Sequence, residues 1–220
     1  MSKLTHRLGG AVFALGLCSA ASAVTLYDNG AINLVSGTGM SEFQVAENFT
    51  LTGALTNFNF TNLRFWSIQS AAADYKGSVY WAVYSNGASQ PGSILFGGTT
   101  AAVTGTATGG STGFGYGAYV YNIPVSFTLP AGNYWLGLHN GALANITPSE
   151  MLWATTTTQI GSFGLYRDGA NWISSLNEHA FLLEGTAVPI PEPTTVALLL
   201  AGLLGTVGVV RRRASMAAAA

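Results

Sequence analysis

Ser78-Val79-Tyr80-Trp81-Ala82-Val83-Tyr84-Ser85-Asn86-Gly87 decides the fold class. Val79, Trp81 and Val83 fall on one side of an extended chain, with Tyr80 and Tyr84 on the other. This is the two-residue period of a strand with a distinct face on each side. Asn86-Gly87 then suits a tight turn, and Pro91-Gly92 fits the centre of a type II turn.

The same reading extends in both directions. Between Phe43 and Leu51, Phe43, Val45, Phe49 and Leu51 share one face, with Glu47 the polar exception. Further on, Tyr134, Leu136 and Leu138 alternate with Trp135 and His139. Ala131-Gly132-Asn133 and Asp168-Gly169 supply more turns. The glycine-rich stretch from Gly97 to Gly117 reads as a long loop or a pair of weak edge strands. No long stretch of the interior has helical periodicity. Many short strands between Gly/Pro turns predict an all-β, antiparallel, jelly-roll-like β-sandwich.

The ends are of another kind. Lys3, His6 and Arg7 precede an apolar run, Leu8 to Leu17, too short for a permanent span. Ala21-Ser22-Ala23 follows, the small-x-small pattern that signal peptidase accepts, and predicts cleavage between Ala23 and Val24. The alternative, lipoprotein processing at Cys18, meets a bulky Leu17 where a small residue is expected. At the other end, Pro191-Glu192-Pro193-Thr194 precedes the apolar run Thr195 to Val210 and then Arg211-Arg212-Arg213. Sixteen helical residues span about 24 Å, short of a hydrocarbon core of ~30 Å unless the bilayer thins or the arginines snorkel. The arginine cluster would remain cytoplasmic, leaving the main domain outside. The expected organisation is a signal peptide over 1–23, a β-sandwich over 24–188, a sorting and anchor segment over 189–213 and a tail over 214–220.

Pro-Glu-Pro, apolar helix and arginine cluster, in that order at the end of the chain, resemble the PEP-CTERM sorting signal of Gram-negative bacteria. The resemblance implies recognition near Pro191, Glu192 and Pro193 by an exosortase, a membrane-embedded cysteine protease-transpeptidase. It also implies transient anchoring in the inner membrane, delivery to the envelope, surface or extracellular matrix, and exopolysaccharide as a possible companion. Ala214 to Ala220 extends past the point where most such signals stop. A second resemblance runs through the interior. Ala46-Glu47-Asn48-Phe49, Val79 to Gly87, Leu129 to Leu136, Asp168 to Trp172 and Ala180 to Gly185 resemble, in order, the strands of choice-of-anchor domains. These are β-sandwiches without an assigned activity.

Composition narrows the chemistry. Between residues 24 and 188 there are three basic residues (Arg64, Lys76, Arg167). They face eight acids: Asp28, Glu42, Glu47, Asp74, Glu150, Asp168, Glu178 and Glu184. A domain this acidic, with no basic patch, is not expected to bind nucleic acid. The only cysteine, Cys18, lies in the leader, so the interior must hold by packing and strand pairing. No Gly-x-Ser-x-Gly elbow nominates a nucleophile. Of the two histidines, His139 reads as a solvated turn residue and His179 as part of an acidic loop with Glu178. No metal-binding motif occurs, and no cofactor is expected, although Asp28-Asn29 and Asp168 offer oxygen ligands of the kind Ca²⁺ favours. Tyr80, Tyr84 and Trp135, opposite the expected core face, are candidates for stacking on a sugar ring if that face is exposed. The expected function is that of a non-catalytic exported protein; a carbohydrate-binding module is the alternative, and a secreted hydrolase is the weaker third reading.

Overall fold

The computed structural model describes residues 23–53, 56–101, 103–157, 159–189 and 198–204. Among the described residues, thirteen strands form two antiparallel sheets. They are β1 (Val24–Asp28), β2 (Ile32–Gly39), β3 (Gln44–Leu51), β4 (Thr56–Gln69), β5 (Ser78–Asn86), β6 (Pro91–Ala101) and β7 (Thr106–Ser111). Then follow β8 (Gly117–Pro130), β9 (Gly132–Asn140), β10 (Met151–Thr156), β11 (Leu165–Asp168), β12 (Asn171–Ser174) and β13 (Phe181–Pro189). This is the all-β sandwich that the alternation predicts.

The first sheet is built on the long strand β4. One side of β4 pairs with β8 along most of its length, and β7 lies beyond β8. The other side is shared end to end by β13, opposite Thr56 to Phe65, and β10, opposite Ser67 to Gln69. β1 extends the sheet past β13, and β2 extends it past β10. The second sheet has the order β12-β11-β3-β9-β5-β6.

The inner faces meet in one apolar core. Val45, Phe49 and Leu51 from β3, Val79 and Val83 from β5, and Leu136 and Leu138 from β9 face Phe60, Leu63, Phe65, Trp153 and Phe181. The aromatics pair across strands: Phe60 stacks on Phe127 at 4.8 Å and Phe65 on Tyr121 at 5.1 Å, each pair directly opposite in the β4–β8 ladder. Such pairs contribute ~0.5–1.5 kcal/mol beyond the area they bury.

One local expectation needs correction. Pro91 and Gly92 begin β6 and are not the centre of a turn. The turn is Gly87 to Gln90, closed by a 2.8 Å bond from the Gly87 amide to the Gln90 carbonyl. Its central residues Ala88 and Ser89 have φ of 56° and 68°, the left-handed pair that matches the twist of a hairpin. Proline at the first position of an edge strand removes no ladder bond that the fold needs. The glycine-rich stretch resolves into its second expectation: β6 and β7 are edge strands.

β4 changes phase along its length. Phe58 and Phe60 are buried at even positions, Leu63 and Phe65 at odd ones. The pairing with β13 shifts between Glu184 and Gly185, opposite this slip. At Gly185 a side chain would overlap the Asn59 carbonyl oxygen. Gly185→Ala is therefore expected to cost about 2–3 kcal/mol of unfolding free energy. Gly113→Ala, where nothing lies within 4 Å, should change little. Urea denaturation of the two variants checks both.

Candidate functional site

Sheet-to-sheet packing buries an ionisable cluster where the edge of β4 passes from β13 to β10. Glu47 lies on the core face of β3 and is fully buried. One of its oxygens, Oε2, accepts from the His179 amide at 2.9 Å and lies 2.8 Å from His179 Nδ1. The other, Oε1, accepts from the Asn48 amide at 3.0 Å and from Asn48 Nδ2 at 3.1 Å. His179 Nε2 reaches Thr38 Oγ1 on β2 at 2.8 Å, and the Trp153 ring packs 5.0 Å from the imidazole. Asn29 completes the group: Nδ2 donates to the His179 carbonyl at 2.9 Å, and Oδ1 accepts from Tyr27 at 2.8 Å.

Glycine at 164 allows the close approach. A side chain there would come within 2.6 Å of both Glu47 Oε2 and the His179 ring. Burial pushes the Glu47 carboxyl well above its ordinary range and the His179 imidazole down to about 3. Both shifts disfavour charge, so the pair holds its one acidic proton as a neutral hydrogen-bonded couple. Neighbouring Glu178, also buried, is pushed up to about 7 by desolvation and then by Glu47.

The order Glu47, His179, Thr38 has the connectivity of an acid, base and nucleophile. Both ring nitrogens are committed within the protein, however, and the imidazole is wholly enclosed. The cluster joins β3 of one sheet to β2 and the 177–180 segment at the edge of the other. His179 thus lies in the core and not in an acidic loop. His139 is likewise buried, on the outer side of β9, and is not a solvated turn residue.

The aromatic platform is also corrected. Tyr84 and Trp135 are only 4% and 2% exposed and form a second cluster with Ala46 and Ala82 on the outer face of the second sheet. Leu165 and Trp172 from the β11–β12 hairpin pack against that cluster, with the Trp172 ring 6.0 Å from Tyr84. Trp135 Nε1 donates to Asn86 at 3.0 Å, and Gln44 donates to the Tyr84 hydroxyl at 2.6 Å. Stacking on a sugar needs an open ring face, which the hairpin occupies. Tyr80 alone remains half-buried.

Asp28 Oδ1 accepts from the Gly30 amide at 2.8 Å, as a turn residue does, while Asp168 sits in the other sheet. Among the described residues no three potential ligands gather into a metal site.

The processing elements lie at the ends. Val24 is exposed and opens β1, so cleavage after Ala23 leaves that strand whole. β1 pairs with β13, Val24 opposite Gly185, so the chain enters and leaves the first sheet through neighbouring strands. Ala21, Pro191, Glu192, Pro193, Arg211, Arg212 and Arg213 lie outside the described residues. Residues 198–204 are helical, and Leu198, Leu199, Leu200, Leu203 and Leu204 are all more than half exposed. Among the described residues no helix is long and apolar enough to cross a membrane.

Comparison with known proteins identifies this end. The family model described as PEP-CTERM protein-sorting motif matches residues 189–214. The chain therefore carries the motif through which exosortases sort exported proteins. No curated protein matches the chain, and the interior's likeness to choice-of-anchor domains rests on its strand motifs alone.

The buried cluster generates a pH prediction. Glu178 is raised in the folded state, so its contribution to stability is full below about pH 4.5 and declines as pH rises through about 7. His179 is depressed, so its contribution is full above about pH 6.5 and is lost as pH falls towards 3. Relative to wild type, Glu178→Gln should gain stability steadily between pH 4.5 and 7, and both proteins should lose it steeply below pH 4.5. Urea titrations across this range read both slopes.

Proposed function

We propose that this chain is a non-catalytic protein of the cell envelope, surface or matrix, released to its destination by exosortase-type cleavage near Pro191, Glu192 and Pro193. One observation carries the reading: the match to the sorting motif begins at Pro189, the last residue of β13. The signal thus starts where the sheet stops. A cut beyond Pro189 severs none of the described strands.

Physical reasons support the sequence of events. The leader directs export, and signal peptidase removes it ahead of β1. The leucine-rich segment then holds the folded sandwich at the inner membrane, with Arg211, Arg212 and Arg213 on the cytoplasmic side. An apolar stretch flanked by arginines sits in lipid more favourably than in water, by ~0.3–0.6 kcal/mol for each Leu-like residue. Proline lacks the amide hydrogen that a helix interior needs, a property that suits Pro191 and Pro193 to a protease recognition stretch. The sandwich itself supplies a charge-poor domain, which suits residence in hydrated polysaccharide.

Glu192→Ala and the triple change of Arg211, Arg212 and Arg213 to Ala should leave folding unchanged but accumulate a larger, membrane-retained precursor. Cell fractionation with mass spectrometry of both chain ends checks this. Wild type should begin at Val24 and end near Pro191 in an outer fraction. An intact C-terminus in the inner membrane, or normal processing of both variants, defeats the proposal.

A further inference from the structure

A cavity of about 540 Å³ opens on the outer face of the second sheet, at the end where β3 begins and β9 finishes. It is within the ~300–1,000 Å³ typical of ligand clefts. Its floor is polar and buried: Gln44 from β3 and His139 from β9 are 3% and 1% exposed. Phe43, Leu143 and Ile146 supply apolar wall, and Glu42, Arg167 and Asp168 the charged rim.

Gln44 Oε1 and His139 Nε2 are buried and have no hydrogen-bond partner. An unpartnered buried polar atom costs ~1–3 kcal/mol, and here the two residues that carry such atoms both line the same cavity. Their orientations follow from their other atoms. Gln44 Nε2 donates to the Tyr84 hydroxyl at 2.6 Å, which turns the amide oxygen away from that bond. His139 Nδ1 lies 3.3 Å from the Gly141 carbonyl, and in the tautomer that donates to it Nε2 is a lone-pair acceptor. Gly137 keeps the floor low, since a side chain there would come within 2.8 Å of the Gln44 amide and the Tyr84 ring. The amide is thus held in place before any ligand arrives.

Acceptors outnumber donors. Two orphaned atoms and the carboxylates of Glu42 and Asp168 stand against the single guanidinium of Arg167. The complementary ligand brings hydroxyl donors, an apolar face for Phe43 and Ile146, and no negative charge. From this we infer that the cavity is a binding site for a neutral sugar unit, a hexose residue of a glycan chain. The inference is independent of C-terminal processing and does not use the ring faces of Tyr84 and Trp135, which are buried.

The test uses the full chain in detergent, unprocessed, on an array of neutral gluco-, galacto- and manno-oligosaccharides alongside uronic-acid oligosaccharides, with spermidine tested by calorimetry. Binding to at least one neutral oligosaccharide is expected, weakened at least about tenfold by Phe43→Ala and by His139→Leu. Asp168→Ala, at an exposed turn, should melt as wild type does and also bind more weakly, which separates lost recognition from lost folding. Binding only to the uronic-acid series or to spermidine would overturn the inference. So would no binding to any neutral sugar, or neutral binding that all three variants retain.

Discussion

A carboxyl group held between two sheets must find every partner inside the protein, and Glu47 finds them on both sides. Its own strand supplies Asn48, and the opposite sheet edge supplies the amide and ring of His179. Leaving such a group unpartnered would cost several kcal/mol, so the two sheets are specified relative to each other wherever this contact forms. The rest of the edge is arranged around it. β10 and β13 share one side of β4 end to end, and His179 lies between them, bridged to Thr155.

Without a cysteine between residues 24 and 188, the domain has no covalent brace. Its cohesion comes from a continuous apolar core and from polar contacts that join elements distant in sequence. Asn140 is one such contact, reaching Ser41 at 2.9 Å and the Asp74 carbonyl at 2.7 Å. These bonds fix the loops at the end of the second sheet where the cavity opens. The outer face of that sheet is packed at one end by Trp172 and Leu165 and left open at the other. Its architecture separates structural aromatics from a polar recess on the same surface.

Sorting imposes a different constraint, on the ends. A domain sorted through a C-terminal motif must fold without help from that motif. Here the first and last described strands are neighbours in one sheet, and the sorting motif begins at the end of the last. Among the described residues, the apolar core draws on the strands of the two sheets and on none of the leucines in 198–204.

Much of this was legible in the order of residues. The two-residue alternation in Val79 to Tyr84 and in Tyr134 to His139 named the strands and their core faces, because a strand's side chains obey a period that needs no tertiary information. The sorting signal was legible for a similar reason: a protease and a membrane read it as a linear stretch. Other features needed the third dimension. β4 escapes simple alternation because its phase slips between Phe60 and Leu63, and only its neighbours make that slip a strand. Glu47 registers in the sequence as an exception on an apolar face, while its partner lies 132 residues away. Whether Tyr84 and Trp135 met water or protein depended on where the β11–β12 hairpin folded. The cavity beside them exists because β3, β9, β11 and the 141–150 loop converge there. Periodicity and linear signals are local properties, whereas burial is set by which distant segments arrive on the other side.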